Sequence, residues 1–235
     1  MIFPTSASPT QLLLGLHPNP EPEFANLVVG ANAEAVDHAL ALAQRRATGI
    51  LYLWGPPGSG KSHLLAATLK SASTARPCVR ISNSIDELNA EIAPGSLIVA
   101  DDVETLDERR QTLLFRLFNS ARLAGLAMIL ADKSPPRELH MREDLRTRIG
   151  QSLIVQLHAL TESERASALK QHASARGMRF DEHLIVYLLR HGKRDLPSLM
   201  MILDQLDQAS LEQKRQPTLP LLREILQSFP ATPSL

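Results

Sequence analysis

The stretch Gly55-Pro56-Pro57-Gly58-Ser59-Gly60-Lys61-Ser62 fits the phosphate-binding pattern GxxxxGK[ST] and decides the fold. It follows a strand-like apolar run, Ile50 to Trp54, and precedes a helix-like stretch that begins near Lys61. Small residues let backbone N–H groups surround phosphate oxygens, the lysine brings a positive charge to them, and the Ser62 hydroxyl can bind Mg²⁺. A Gly/Pro turn that binds nothing is the alternative, but the strand and helix on either side disfavour it. We therefore predict a nucleotide site formed by these eight residues and by His63.

The composition bounds the class of protein. The 235 residues are 44% hydrophobic, enough for one large domain or two small ones, and we expect two. Lys plus Arg (25) equal Asp plus Glu (25), so no overall positive field attracts nucleic acid. The single cysteine, Cys78, excludes an internal disulfide, and no apolar run reaches transmembrane length. The first sixteen residues do not resemble a signal peptide, so we expect a soluble cytoplasmic protein.

Strand and helix patterns alternate after the phosphate loop, which predicts an α/β domain with a parallel sheet over residues 26–159. Residues 1–25 are rich in Pro, Ser and Thr and are predicted to be a flexible N-terminal tail. Five strands are expected, and they lie near residues 50–54, 78–81, 97–100, 127–131 and 153–157.

Strand signals stop after Leu160, and helical periodicity follows in four segments. We therefore predict a small all-helical domain over residues 160–235. Asp181 is a candidate N-cap, and Gly177 and Gly192 are candidate helix stops. The four predicted helices lie near 162–176, 181–191, 195–212 and 219–228.

Two carboxylates, Asp101 and Asp102, end the apolar strand that begins at Leu97, about forty residues after the phosphate lysine. One acid beside a phosphate loop can hold Mg²⁺ through water, and the next can orient an attacking water. We assign Asp101 to the metal and Asp102 to the water. Two acids that merely end a strand in solvent are the alternative, which the nearby phosphate loop disfavours.

The order of these parts resembles the AAA+ ATPases, and more narrowly the nucleotide-binding domain of DnaA, the bacterial replication initiator. Residues 24–30, Phe-Ala-Asn-Leu-Val-Val-Gly, are similar to the family segment that lies against the adenine, with Leu27 in place of an aromatic. The resemblance implies a five-stranded parallel sheet between helices, a helical lid, and ADP or ATP with Mg²⁺ near Val29 and Gly30. Asp102 is shorter than the glutamate common at this place in related ATPases, which predicts slow hydrolysis by the chain itself.

The same resemblance assigns roles to two arginines. Residues 144–149, Asp-Leu-Arg-Thr-Arg-Ile, resemble the stretch that carries an arginine finger, which reaches the nucleotide of a neighbouring subunit. By this match Arg148 is the finger, with Arg146 next, and the alternative is an ordinary surface arginine. Arg194 takes the place of the arginine on the lid that senses the phosphates. For the sensor at the end of the fourth strand, both Asp132 and Lys133 remain candidates.

The N-terminal tail adds a second motif. Gln11-Leu12-Leu13-Leu14-Gly15-Leu16 has the form Gln-Leu-x-Leu-x-Leu and resembles peptides that bind the bacterial sliding clamp. The resemblance implies that Gln11 makes polar contacts at a pocket rim and that Leu12, Leu14 and Leu16 fill an apolar groove. The alternative is a segment that packs on its own domain.

A clamp-binding tail before a DnaA-like ATPase region, with no module after the lid to read an origin sequence, resembles the layout of the Hda family, the regulatory inactivators of DnaA. This implies a negative regulator of replication initiation that binds ADP or ATP, docks on the DNA-loaded clamp and stimulates hydrolysis of DnaA-bound ATP. Its own hydrolysis of ATP would be weak. Self-association through the surface that carries the arginine finger is also compatible with the family. The alternatives are an autonomous AAA+ loader or remodeller of another replication client, and a DNA-binding regulator, which the neutral charge disfavours.

Overall fold

A computed structural model describes residues 21–83, 92–178, 181–192, 195–213 and 215–228. The described chain forms a sheet flanked by helices, followed by a group of four helices. The candidate clamp-binding residues Gln11, Leu12, Leu14 and Leu16, and the candidate lid sensor Arg194, lie outside the described residues.

The sheet has five parallel strands in the order β2-β3-β4-β1-β5. The predicted five-stranded parallel sheet is thereby confirmed. In this order β1, which leads into the phosphate loop, lies between β4 and β5, and Trp54 at its end pairs with Asp132 and Gln156. The strands are β1 (Gly49–Trp54), β2 (Cys78–Ile81), β3 (Leu97–Ala100), β4 (Ala127–Asp132) and β5 (Leu153–Gln156).

Helices cover both faces of the sheet, as the fully buried strands β3 and β4 require. The side chains of β1 alternate between two cores, with Leu51 and Leu53 in one and Tyr52 in the other. The helices of this layer are α1 (Ala33–Ala43), α2 (Lys61–Ala72), α3 (Glu108–Ala124) and α4 (Glu143–Gly150), with single 3₁₀ turns at Phe24–Asn26, Val103–Thr105 and Pro136–Glu138.

Two local features differ from the expectations. The helical spacing of Val36, Ala39, Leu40 and Ala43 predicts a helix from Ala33 to Ala47, but the helix ends at Ala43, because the chain turns at Arg45, which has a φ of +57°. Helix α4 was not predicted, because only Leu145 and Ile149 of its eight residues are buried, and two positions do not establish a helical period.

The C-terminal part is a lid of four helices with its own core, as predicted. They are α5 (Glu162–Ala175), α6 (Glu182–His191), α7 (Leu196–Gln213) and α8 (Leu219–Ser228). Thr161 and Glu164 form a capping box at the start of α5, and Asp181 caps α6 through the N–H of His183. Its core includes fully buried leucines on α6 and α7: Leu188, Leu199, Leu203 and Leu206. Within the described ranges, no helix is long and apolar enough to cross a membrane.

Candidate nucleotide site and arginine face

The phosphate loop joins β1 to α2 in a conformation that only glycine adopts easily. Gly58 and Gly60 have φ values of +77° and +93°, in the left-handed region. Gly55 is required for a different reason, because a Cβ there would lie 2.3 Å from the carbonyl oxygen of Leu157. The loop therefore stays close to the end of β5 and curls over the first turn of α2.

Lys61 begins α2 and is buried. Its Nζ donates hydrogen bonds to the carbonyl oxygens of Gly55 (2.7 Å) and Pro56 (3.0 Å). Burial lowers the pKa of Lys61, and the carboxylates of Asp101, Asp102 and Asp132 act in the opposite sense. The ammonium thus lies between the loop and three acids, where a phosphate group would find its counter-charge.

Ser59 provides an independent sign of an anion site. Its side chain is 3% exposed, and its Oγ has no hydrogen-bond partner among the described residues. A buried hydroxyl without a partner is costly unless a ligand satisfies it. The Ser59 hydroxyl, the N-terminus of the 12-residue helix α2 and Lys61 together fit a phosphate group. Pro57 and the exposed Ser62 complete the loop, and Ser62 lies where its hydroxyl can reach a metal on that phosphate.

The acidic pair follows β3 directly. Asp102 has a φ of +47°, an uncommon conformation for aspartate, and its N–H donates to the Asp101 carboxylate at 3.1 Å. Partial burial raises the pKa of Asp102, with smaller contributions from Asp101 and Asp132. Among the described residues, no three His, Cys, Asp or Glu side chains form a metal cluster. Mg²⁺ bound by Ser62 and Asp101 would therefore need phosphate oxygens as further ligands, which is the usual situation for this ion.

Asp132, rather than Lys133, faces the phosphate loop. Asp132 is 2% exposed at the end of β4, and its carbonyl accepts the N–H of Gly55 at 3.3 Å. Lys133 points to the surface, where its ammonium lies 3.6 Å from Glu104. Of the two candidates for this sensor position, the geometry favours Asp132.

A cleft of about 420 Å³ lies between the N-terminal segment and the lid. One wall is formed by Leu27, Val28 and Val29, and the other by polar side chains of α5: Ser163, Glu164, Ser167 and Gln171. Leu27 also contacts the loop, since its Cδ1 lies 3.9 Å from a Cβ built on Gly60. Gly30, at the end of this segment, has a φ of +52° and lies close to Glu164. The cleft is lined by apolar side chains on one wall and polar side chains on the other, and its volume lies in the range of small-molecule sites.

The root of the predicted tail contacts α2. Lys70 pairs with Glu21 and Glu23, and the His63 ring contacts the Glu23 carbonyl (3.2 Å) and the Asn26 side chain (3.0 Å). His63 thus fixes the segment that forms the nucleoside cleft. Residues 21–26 are attached to the domain, in contrast to the expectation of a flexible tail as far as residue 25.

Arg148 lies on the exposed surface of α4. Its guanidinium makes no hydrogen bond or ion pair with any residue that the structure describes, whereas the guanidinium of Arg146 pairs with Glu143. Leu145 and Ile149 anchor the helix in the core, so Arg148 projects from a fixed element. We call the surface of α4 that carries Arg146 and Arg148 the arginine face. It is distant in sequence from the chain's own phosphate loop, and the packing of α4 fixes its position.

The fold has known relatives. Residues 162–226 match the family model described as Hda, lid domain. Over 90% of this chain, the structure matches domain III of the replication initiation protein DnaA from Thermotoga maritima, with a TM-score of 0.77, 21% identity and 98% of that chain covered. A DnaA bound to AMPPCP and single-stranded DNA matches with a TM-score of 0.65 and 22% identity, over 83% of this chain and 68% of the other.

A more distant match is the Thermotoga maritima RuvB Holliday junction branch migration motor. Its TM-score is 0.62 at 15% identity, over 83% of this chain and 67% of that one. These likenesses agree with the parallel sheet, the phosphate loop and the helical lid described above. The chain therefore shares the fold of DnaA domain III, and its C-terminal helical domain matches the Hda lid model over residues 162–226.

Proposed function

We propose that this protein is an Hda-like regulator of replication initiation. It binds ADP or ATP, docks on the DNA-loaded sliding clamp through Gln11 to Leu16, and presents Arg148 to ATP held by DnaA. Hydrolysis of that ATP ends the competence of DnaA to initiate. The observation that carries the proposal is the exposed, unpaired Arg148 on a rigidly packed helix of a chain with an Hda lid.

The chain's own nucleotide is proposed to lie between the phosphate loop and the lid. Lys61, Ser59 and the α2 N-terminus would hold the phosphates, Val29 and Gly30 would border the base, and Ser62 with Asp101 would hold Mg²⁺. Such a nucleotide neutralises the buried Lys61 and satisfies Ser59, so it favours the folded, lid-closed protein. Its main role in this proposal is structural and regulatory.

The arginine acts in trans. In phosphoryl transfer, negative charge spreads over the γ-phosphoryl oxygens. An arginine from a neighbouring subunit stabilises this charge and raises the rate by about 10³- to 10⁵-fold. An arginine suits this task when it is exposed, has no carboxylate partner to neutralise it and is carried by a rigid element. Arg148 meets these conditions in the described chain, whereas Arg146 is engaged with Glu143.

The proposed partners follow from the N-terminal tail and from the surface that carries Arg148. DnaA would supply the ATP that Arg148 reaches, and the clamp would concentrate the protein on replicating DNA through the tail. No sequence-specific contact with DNA is required of the chain itself, in agreement with equal numbers of basic and acidic residues. A cytoplasmic location without a membrane anchor is part of the proposal, and self-association through the arginine face remains compatible with it.

The decisive experiment is a pull-down of the ADP-loaded protein on DNA-loaded clamp, followed by measurement of DnaA-bound ATP hydrolysis on the recovered complexes. The test variant carries Gln11→Ala and Leu14→Ala. We expect wild type to be retained and to stimulate hydrolysis, and the double variant to lose both while it still binds ADP. A Leu211→Ala variant, which removes an exposed leucine of the lid, is the matched control and should behave as wild type. Equal retention of wild type and the double variant would contradict the adaptor role.

A second function is favoured by one observation, namely that Asp101 and Asp102 lie close enough to Lys61 to affect its pKa. In this alternative the chain is an autonomous AAA+ ATPase that loads or remodels another replication client. Turnover would then depend on Lys61 and Asp102 and would be insensitive to Arg148 and the tail. ATP hydrolysis by the isolated protein that is abolished by Asp102→Asn, with no clamp retention, would favour this alternative.

A further inference from the structure

Glu104 occupies a short turn between the nucleotide site and the arginine face. It lies in the 3₁₀ turn Val103–Thr105, directly after the acidic pair, and its side chain is 15% exposed. The turn is tied to Asp102, whose carbonyl accepts the N–H of Thr105 at 2.9 Å and the Thr105 hydroxyl at 2.7 Å. Hydrogen bonds within one turn thus join the acidic pair to the segment that carries Glu104.

The main chain of Glu104 is hydrogen-bonded to Asp132, which lies on the side of the phosphate loop. Its N–H donates to Oδ2 of Asp132 at 2.8 Å, and Oδ1 of Asp132 accepts the N–H of Lys133 at 2.7 Å. Asp132 is buried beside the phosphate loop and acts electrostatically on Lys61. Because the carbonyl of Asp132 accepts the N–H of Gly55 at 3.3 Å, this residue joins Glu104 to the phosphate loop.

The side chain of Glu104 is bonded to the opposite side. Its Oε1 accepts the backbone N–H of His140 at 2.8 Å and contacts Nδ1 of the same residue at 2.7 Å. These bonds, first of all the one from the His140 N–H, lower the pKa of Glu104, so the group stays ionised. His140 follows the buried Leu139 and lies three residues before α4, which carries Arg148.

We propose that Glu104 is a positioning residue that couples the phosphate end of the nucleotide site to α4 and thereby to Arg148. The chain of contacts runs from Asp132 through the main chain and side chain of Glu104 to His140. This inference rests on the proposed function for the role of Arg148, but the coupling itself is a property of the isolated protein. It makes the presentation of Arg148 depend on the nucleotide that the chain holds.

Hydrogen exchange of the full-length protein, with and without ADP and Mg²⁺, tests the coupling directly. In wild type we expect ADP to slow exchange in the phosphate loop. We also expect it to slow exchange in residues 139–150, by on the order of fivefold or more. In Glu104→Ala the effect at the loop should remain and the effect at 139–150 should disappear. The same response at 139–150 in wild type and Glu104→Ala, or none in wild type, would overturn the inference.

Conservative and control variants separate positioning from general damage. Glu104→Gln keeps an oxygen that can accept the His140 N–H, so it should restore most of the response. Glu104 and Glu138 both line a surface cleft of about 440 Å³. Glu138→Ala removes an exposed carboxylate that has no hydrogen bond in the described chain, so this variant should respond as wild type. Should Glu104→Ala fail to fold, His140→Ala, which removes a ring that is 92% exposed, should weaken the response, and an unchanged response would overturn the inference.

Stimulated hydrolysis gives a second readout. Glu104→Ala should lower the maximal rate of hydrolysis by the ATP-bound partner, while the protein concentration that gives half the effect stays unchanged. Absence of stimulation by wild type would count against the proposed function. In that case the exchange response of residues 139–150 would still decide on the coupling.

Discussion

Gly58 of the phosphate loop lies against Asp195 at the start of α7, since a Cβ built on Gly58 would be 3.3 Å from the Asp195 Cβ. Asp195 in turn accepts the N–H of Ser198 at 2.9 Å and so caps α7. The loop and the lid therefore share a contact at the point where we propose that phosphates bind. Closure of the lid and the conformation of the loop depend on each other at this contact.

Gly58→Ala should weaken nucleotide binding. The backbone at position 58 is left-handed, and this conformation costs an alanine about 1–2 kcal/mol. The added methyl group would also press on Asp195. We expect the Kd for ADP to rise on the order of tenfold, measured by calorimetry. Gly150→Ala is the matched control, because a Cβ there meets no atom within 4 Å. An unchanged Kd in Gly58→Ala would mean that the loop rearranges freely on binding.

Lys61→Ala should abolish the stabilisation of the protein by ADP. In wild type, ADP at a hundred times its Kd should raise the free energy of unfolding by about 2.7 kcal/mol, because the ligand binds only the folded state. Thermal unfolding with and without ADP measures this effect. Lys170→Ala, which removes a surface ion pair with Glu182, should keep the full effect. A Tm that ADP leaves unchanged in both wild type and Lys61→Ala would contradict nucleotide binding at this site.

Arg148→Ala should separate binding from stimulation. We expect normal clamp retention and ADP affinity, because the Arg148 side chain is exposed and its guanidinium has no hydrogen bond or ion pair among the described residues. Stimulated DnaA hydrolysis should fall on the order of 10³-fold. The measurement is single-turnover hydrolysis on the clamp complex. Arg116→Ala, at an exposed arginine of α3, should stimulate as wild type does. Persistent stimulation by Arg148→Ala together with its loss in Arg146→Ala would assign the finger to Arg146.

Asp102→Asn should stabilise the protein at neutral pH. The pKa of Asp102 is raised in the folded state, mainly by burial, so the folded protein holds this proton more tightly than the unfolded chain does. Ionisation of Asp102 therefore costs stability as pH rises from about 3.8, the ordinary value, through the higher folded pKa. Asparagine avoids this cost and also tolerates positive φ better. The gain in Tm should be largest near pH 7 and should shrink below pH 3.8.

Asp107→Asn is the opposite case for the same pH series. The backbone N–H of Arg110 lowers the pKa of Asp107, so its ionised form stabilises the fold above about pH 3.8, and this contribution is lost as pH falls. The variant should therefore have a lower Tm than wild type at neutral pH. Equal effects of the two substitutions would contradict both assignments.

Arg76→Ala should destabilise the fold without affecting the nucleotide site. The buried guanidinium donates to the carbonyl oxygens of Leu42, Gly95 and Ser96 at 2.7–3.0 Å, and so joins the end of α1 to the turn before β3. Its loss would remove three hydrogen bonds and leave a cavity between these segments, and we expect the free energy of unfolding to fall by about 3 kcal/mol, measured in urea. Arg122→Ala, on the surface of α3, should change it by less than about 0.5 kcal/mol. An unchanged Kd for ADP in both variants is expected.

The regular parts of the fold could be predicted from local patterns. The apolar runs Leu97–Ala100 and Ala127–Ala131 are found as buried strands, the second extended to Asp132. The four lid helices begin and end within two residues of their predicted limits. These elements have strong periodicity and clear caps such as Asp181. Helix α4 was missed because its two buried residues give too weak a period.

The candidate site divides in the same way. Residues 55–62 are contiguous, so their sequence alone predicted the loop. Asp132 and Lys133 could not be separated by counting residues, and the role of Glu104 gave no sequence signal, because its partners Asp132 and His140 are 28 and 36 residues away. The cleft lining from α5 was not foreseen either, since it forms only when the lid packs against Leu27 to Val29.

The sequence by itself determined the phosphate loop, the alternation of strands and helices, and the change to an all-helical lid. Each of these depends on side chains within one or two turns of the chain, where periodicity and glycine conformation act locally. The tertiary structure alone decided that Asp132 faces Lys61, that Arg148 projects from an anchored helix, and that Gly58 meets Asp195. These relationships join distant segments, and the parallel register of β1 with β4 and the burial of the two cores fix them in space.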